Sequence, residues 1–170
     1  MLPEARSTIK SAAEGPWTFT VEAGKSLTNT WNVQGRYDLS VFGPNGFLRS
    51  FRGGASPDAK ANLDIDCRYE ADDSAIVLIV MNNGPVRCRV SVVNAYGGDS
   101  AADTLRPGQT LYKRFPLAPS YGWYDLSVTA DTDPGFLRRL AGHLENGRDS
   151  ASDPAFGGGV RARGAAEVAG

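Results

Sequence analysis

The sequence predicts an all-β protein: a Greek-key, immunoglobulin-like β-sandwich, with one complete unit preceded by a partial repeat of the same unit. Three observations carry this. The 170 residues include 20 Gly and 10 Pro against few helix-like patterns, a turn-rich composition. Short alternating or wholly apolar runs recur between turn signals, at the spacing of sandwich strands. The chain also repeats itself: Tyr37-Asp38-Leu39-Ser40-Val41 returns as Tyr124-Asp125-Leu126-Ser127-Val128, and Gly46-Phe47-Leu48-Arg49 returns as Gly135-Phe136-Leu137-Arg138.

Laid over one another, the copies also match Leu27 with Leu111 and Trp31 with Phe115. The offset grows from 84 to 87 to 89, and each step falls on clustered turn residues, Ala118-Pro119-Ser120 and then Asp131 to Pro134. Length changes confined to loops are what a duplicated unit tolerates at least cost.

Taken in order, the first copy supplies only the half from Gly24 to Phe51. Upstream of Gly24 lie 23 residues, whereas the second copy uses about 47 upstream of Gly108. Two readings follow: Met1 to Thr20 forms a reduced substitute, or the chain starts inside a longer parent, and the second is favoured because a half sandwich leaves an apolar face and sheet edges uncovered. In the second copy Leu63 to Tyr69 alternates apolar and polar, a strand buried on one face. Ala75 to Met81 is β-branched and apolar throughout, a central strand. Asn82-Asn83-Gly84-Pro85 is a turn, Val86 to Val92 alternates again, and Tyr96 to Ala102 reads as loop. Thr110–Phe115, Trp123–Thr129 and Phe136–Leu140 complete about six strands. The expected organisation is a partial unit over 1–56, a complete unit over 57–150 and a disordered Gly/Ala/Arg tail over 151–170.

A formal net charge of -1 gives no basic face for nucleic acid. The longest apolar run is strand-sized, far short of the ~20 residues that span a bilayer. Met1 to Gly15 shows no apolar segment of the signal-peptide kind.

Chemistry is sparse. The single histidine, His143, reads as a solvated residue near the end of the last strand rather than a catalytic base. Two Cys and one His without zinc-type spacing exclude a Cys/His metal site, and no Gly-x-Ser-x-Gly elbow or phosphate loop occurs, so no catalytic residue, metal or cofactor is expected. Asp131-Thr132-Asp133 reads as a turn rather than a calcium loop, because the first copy has Phe42-Gly43-Pro44-Asn45-Gly46 there and lacks both acids. Asp38 and Asp125 point away from their apolar neighbours and read as outward or loop-bonding aspartates. Cys67 and Cys88 both point inward, which leaves a disulfide across the core and two buried thiols as equal readings. Alternation buries Trp31, Tyr37 and Tyr124 and leaves Tyr112 and Trp123 as outward aromatics, the candidate surface contacts.

The block Val21 to Leu27, Trp31 and Gly35 to Gly53, with Tyr37 to Arg49 its most specific string, resembles the C-terminal repeats of bacterial phosphocholine-specific phospholipases C, of the phospholipase C and acid phosphatase superfamily. The second copy is similar to the last of those repeats in its Asn82-Asn83-Gly84 and Pro107-Gly108 turns and the Tyr124 to Val128 strand, but departs at Thr129 to Pro134. The resemblance implies tandem β-sandwich units following a catalytic phospholipase domain, that domain being the expected partner, in a secreted parent that releases phosphocholine from phosphatidylcholine or sphingomyelin. It carries no catalytic residue onto this chain. The chain is then expected to brace the catalytic domain or meet a phospholipid surface. The alternative is a free-standing module for lipid head groups or carbohydrate.

Overall fold

The computed structural model describes residues 10–11, 16–33, 35–54, 62–98, 100–147 and 149–155. Its strands are β1 (Lys10–Ser11), β2 (Trp31–Asn32), β3 (Arg36–Phe42), β4 (Leu48–Gly54), β5 (Leu63–Glu70), β6 (Ala75–Asn82), β7 (Cys88–Asn94), β8 (Ala101–Leu105), β9 (Thr110–Pro116), β10 (Trp123–Ala130) and β11 (Asp133–His143), with one 3-10 turn over Ala118–Ser120. No α-helix occurs among the described residues.

Two antiparallel sheets face each other, one of order β5-β6-β9 and one of order β3-β4-β11-β10-β7-β8. Within the complete unit the chain crosses between sheets from β6 to β7, from β8 to β9 and from β9 to β10, as in an immunoglobulin-like sandwich. The alternation read from the sequence holds where a sheet is covered on one face: Cys88, Val90 and Val92 of β7 and Tyr124, Leu126 and Val128 of β10 enter the core. β6 is apolar throughout because it is the middle strand of its sheet, and Ile76, Leu78 and Val80 are fully enclosed. Asn82 is buried at its end, and its side chain satisfies itself by donating to the carbonyls of Val86 and Leu105 and accepting from Gly84 N–H.

Three boundaries differ from the sequence reading. Ala101–Leu105, expected to begin in loop, is a strand paired with β7. The last strand runs from Asp133 to His143 rather than Phe136 to Leu140, with a register shift at Thr129/Ala130 that absorbs the inserted turn. Val86 is exposed and precedes its strand instead of lying in it.

The first-copy hairpin β3–β4 extends the second unit's sheet, β4 pairing with β11 from Leu48↔Ala141 to Arg52↔Leu137. The two hairpins keep the same register: Tyr37↔Gly53 and Phe42↔Leu48 in one correspond to Tyr124↔Gly142 and Thr129↔Leu137 in the other. The β4–β11 pairing is symmetric under exchange of the copies, so a local twofold passes through the Ser50↔Arg139 pair. Upstream, β1 and β2 form a separate parallel pair, and Trp17 packs on Trp31 with centroids 5.7 Å apart.

Candidate functional site

Symmetry in the backbone is matched in the side chains at the β4–β11 seam. Arg49 and Arg138 are counterparts, and each reaches into the other copy. Arg49 Nη1 donates to Leu48 O (2.8 Å) and Ala141 O (3.1 Å), while Arg138 Nη1 donates to Leu137 O and Arg52 O (both 2.9 Å). Arg49 Nη2 donates to Tyr124 OH (3.3 Å), and Arg138 Nη2 to Tyr37 OH (2.7 Å). Each guanidinium also covers the Phe two residues before it, 4.5 Å from Phe47 and 4.4 Å from Phe136. Each tyrosine ring lies over the glycine opposite it: a Cβ on Gly53 would stand 2.9 Å from Tyr37 OH, and one on Gly142 would stand 2.8 Å from Tyr124 OH. Glycine is required there because the ring occupies the space a side chain would take.

The symmetry breaks at one point. Arg49 Nη2 also donates to Tyr69 OH (2.6 Å), and Tyr69 and Tyr124 share a hydroxyl hydrogen bond of 2.8 Å. Burial and then this bond push the Tyr69 phenol well above its ordinary pKa. For Arg138 Nη2, Tyr37 OH is the one acceptor among the described residues.

Of the residues singled out in the sequence, Tyr112 points outward from β9 as expected, 65% exposed, beside a groove of about 540 Å³ lined also by Asn94, Tyr96 and Lys113. Trp123 does not. Its indole is half-buried, lies against Gly46 of the first copy, stacks on His143 with centroids 4.7 Å apart and donates Nε1–H to Ala151 O (2.9 Å). Alternation placed it on the outer face correctly, but the β3–β4 turn and the chain after Gly147 cover that end of the face. The same segment is fastened again where Tyr96 OH donates to Asp153 Oδ1 (2.8 Å), so residues 149–155 lie against the sandwich although no regular structure was expected beyond 150. Residues 156–170 of the expected tail lie outside the described residues.

The cysteine bridge is not formed: both thiols are free. Cys67 is half-buried on β5, 3.7 Å from Arg49 Nη2 at the Tyr124 end of β10. Cys88 is buried on β7 and accepts from Thr132 Oγ1 (3.3 Å), past the other end of β10. Those ends are on the order of 20 Å apart along the strand, whereas a disulfide needs Cα atoms within about 7 Å. Inward orientation was legible in the pattern; position along the sandwich was not.

His143 also departs from expectation, since its side chain is only 5% exposed. Nδ1 is 2.9 Å from Glu145 Oε1, and Nε2 is 2.6 Å from Ser150 Oγ and 3.0 Å from Tyr121 O. The serine–histidine–carboxylate order resembles a nucleophile relay. Yet Nε2 is shared between Ser150 Oγ and the Tyr121 carbonyl, and Ser150 Oγ donates in addition to Ala151 O (3.3 Å), so the serine is not aligned on the ring alone. The cluster works as a clamp for the segment after Gly147.

The remaining acids are turn and strand elements. Asp131 accepts from Arg89 N–H of β7, tying the turn to that strand, and Asp133 accepts from Gly135 N–H inside the turn. Asp125 forms a two-bond pair with Arg139 (2.6 and 2.8 Å), which raises the Arg139 pKa through that hydrogen bond, while Asp38 is exposed. No group of three or more His, Cys, Asp or Glu suited to a metal occurs among the described residues.

The fold and its seam define a β-sandwich accessory module whose most elaborate contacts join its own two copies. Comparison with known proteins agrees. The family model for the C-terminal domain of bacterial phospholipase C matches residues 4–54 and 63–143. A non-hemolytic phospholipase C of Burkholderia pseudomallei is 42% identical over 153 residues, which cover 86% of this chain and 22% of that protein. A hemolytic phospholipase C of Pseudomonas aeruginosa is 39% identical over 146 residues, 78% of this chain and 20% of that protein. The chain belongs to the bacterial phospholipase C C-terminal domain family, as an accessory domain, and spans about a fifth of the length of these curated relatives.

Proposed function

We propose that this chain is the C-terminal accessory region of a secreted bacterial phospholipase C that releases phosphocholine from phosphatidylcholine or sphingomyelin, and that it braces the catalytic part without turning over lipid itself. The observation that carries the reading is the match to phospholipase C relatives along most of this chain and only about a fifth of theirs. In this reading 1–56 is the partial unit, 57–150 the complete one, and the β4–β11 seam makes the two a single rigid ledge. A phosphocholine-release assay on the isolated chain reads at background. Removing the region from the parent enzyme lowers the temperature at which its activity is lost. Turnover by the isolated chain overturns the division of labour.

A second reading, direct contact with a phospholipid surface, is favoured by exposed Tyr112 beside its groove. Sedimentation with phosphatidylcholine liposomes decides it: pelleting that Tyr112→Ala reduces supports contact, and a chain that stays in the supernatant removes it. Trp123→Ala is the wrong variant for this test, because that ring is covered.

A further inference from the structure

β10 has a strand on each side, β11 on one and β7 on the other, with β7 paired from Leu126↔Asn94 to Ala130↔Val90. Its counterpart β3 has β4 on one side and, among the described residues, no strand on the other. The face above it is open as well. Leu126 and Val128 are fully enclosed, whereas Leu39 is half-buried and Val41 47% exposed. Other edges carry protection: β9 ends in Lys113-Arg114-Phe115-Pro116, and β8 has five residues. Leu39-Ser40-Val41-Phe42 has neither charge, proline nor glycine. On the facing side, Arg49 Nη2 also meets Tyr69 of the β5-β6-β9 sheet, whereas among the described residues Arg138 Nη2 meets Tyr37 alone.

We infer that the free edge of β3 receives an extended polypeptide strand, paired antiparallel as β7 pairs with β10. The local twofold fixes its chemistry and register. It runs opposite Leu39 to Gly43 and presents branched apolar side chains opposite Val41 and Gly43, as Val92 and Val90 stand opposite Val128 and Ala130 of β10. The strand belongs to the remainder of a longer phospholipase C polypeptide of the size of the relatives, so the seam that joins the copies also continues the sheet toward the rest of that protein. This pairing rests on the reading of the chain as the C-terminal part of such a longer protein, but not on the proposed lipid chemistry.

The probe is a synthetic peptide with the sequence Val86–Asn94 and Cys88→Ser, titrated into the isotope-labelled chain and followed by amide shifts and hydrogen exchange. The expected result is shift changes confined to β3 and its turn, with exchange of the β3 edge amides slowed about tenfold. A peptide with Val90→Lys and Val92→Lys leaves the spectrum unchanged, and a folded Val41→Lys chain loses the response to the parent peptide. No response at millimolar peptide, a response at β8 or β9 instead, or an equal response to the lysine peptide overturns the inference. Sedimentation showing that the chain alone dimerises through β3 also overturns it, because the occupant is then a second copy.

Discussion

Hairpin β3–β4 and hairpin β10–β11 share the Tyr-Asp-Leu-Ser-Val and Gly-Phe-Leu-Arg strings, the same register and the same tyrosine-over-glycine packing, yet they live in different surroundings. Leu126, Val128 and Leu140 are 0, 0 and 5% exposed. Their counterparts Leu39, Val41 and Phe51 are half-buried, 47% and 37% exposed. The backbone geometry of the hairpin is therefore local, set by Tyr-Asp-Leu-Ser-Val and Gly-Phe-Leu-Arg, while burial is set by the layer above. β5, β6 and β9 cover one copy. The seam therefore holds the partial copy in shape: β4 borrows eleven-residue β11 as its neighbour, and each copy's arginine reaches the other's tyrosine.

The largest expected effect separates the two leucines. Leu126→Ala removes a fully enclosed side chain and leaves a cavity, at a cost of about 3–4 kcal/mol. Leu39→Ala vacates a site already open to water and costs about 1 kcal/mol. Urea unfolding of both variants measures this. Equal losses would mean that the partial copy is covered as well as the complete one, and the comparison above fails.

The glycines come next. Gly142→Ala drives a methyl into Tyr124 OH, which is held in place by both Tyr69 and Arg49, and a side chain is also strained at its φ of 156°, so the loss is about 2 kcal/mol. Gly53→Ala meets Tyr37 OH, which among the described residues is tied to Arg138 alone, and costs roughly half as much. A double-mutant cycle sharpens the same contrast: Arg49→Met with Tyr124→Phe couples by about 1 kcal/mol, more than Arg138→Met with Tyr37→Phe. Identical coupling in both cycles would show that Tyr69 adds nothing to the pair it completes.

Much of this was legible because strand signals are short-range. The repeat, the sandwich class and the inward set on β7 and β10 follow from alternation and identity between copies. β8 was missed because Ala101 to Leu105 has a weak pattern, small and polar residues that become a strand only by pairing with β7. Trp123 and the two cysteines show the second limit. Period two gives the face a residue points to, but not what another segment lays on that face or how far along the sheet a partner stands. His143 looked solvated for the same reason, since Tyr121, Glu145 and Ser150 enclose it from a turn and a segment with no periodicity. The arginines had a signal that went unused: Arg49 and Arg138 are the only identical charged residues in the Gly-Phe-Leu-Arg block, and residues facing a twofold seam must serve both copies.

The smallest expected effect tests the β5-β6-β9 sheet that covers the complete copy. Glu70, the last residue of β5, is held below the usual carboxylate range by hydrogen bonds from Arg114 first and Arg68 second. A carboxylate with a lowered folded pKa binds fewer protons folded than unfolded. Its contribution is therefore fully present above the ordinary carboxylate pKa of about 4.3 and is lost as pH falls through the lowered value. These ions are solvent-exposed, so the contribution is small and screened by salt. Glu70→Gln should lower the melting temperature by on the order of one degree at pH 7, with the gap closing toward pH 3 and again at high salt. A gap that stays constant from pH 7 to pH 3 would place the effect in packing at the β5–β6 corner rather than in charge. In either case β3 and β4 amides should exchange at unchanged rates, since the ion pairs lie on the β5-β6-β9 sheet and β3 and β4 belong to the other.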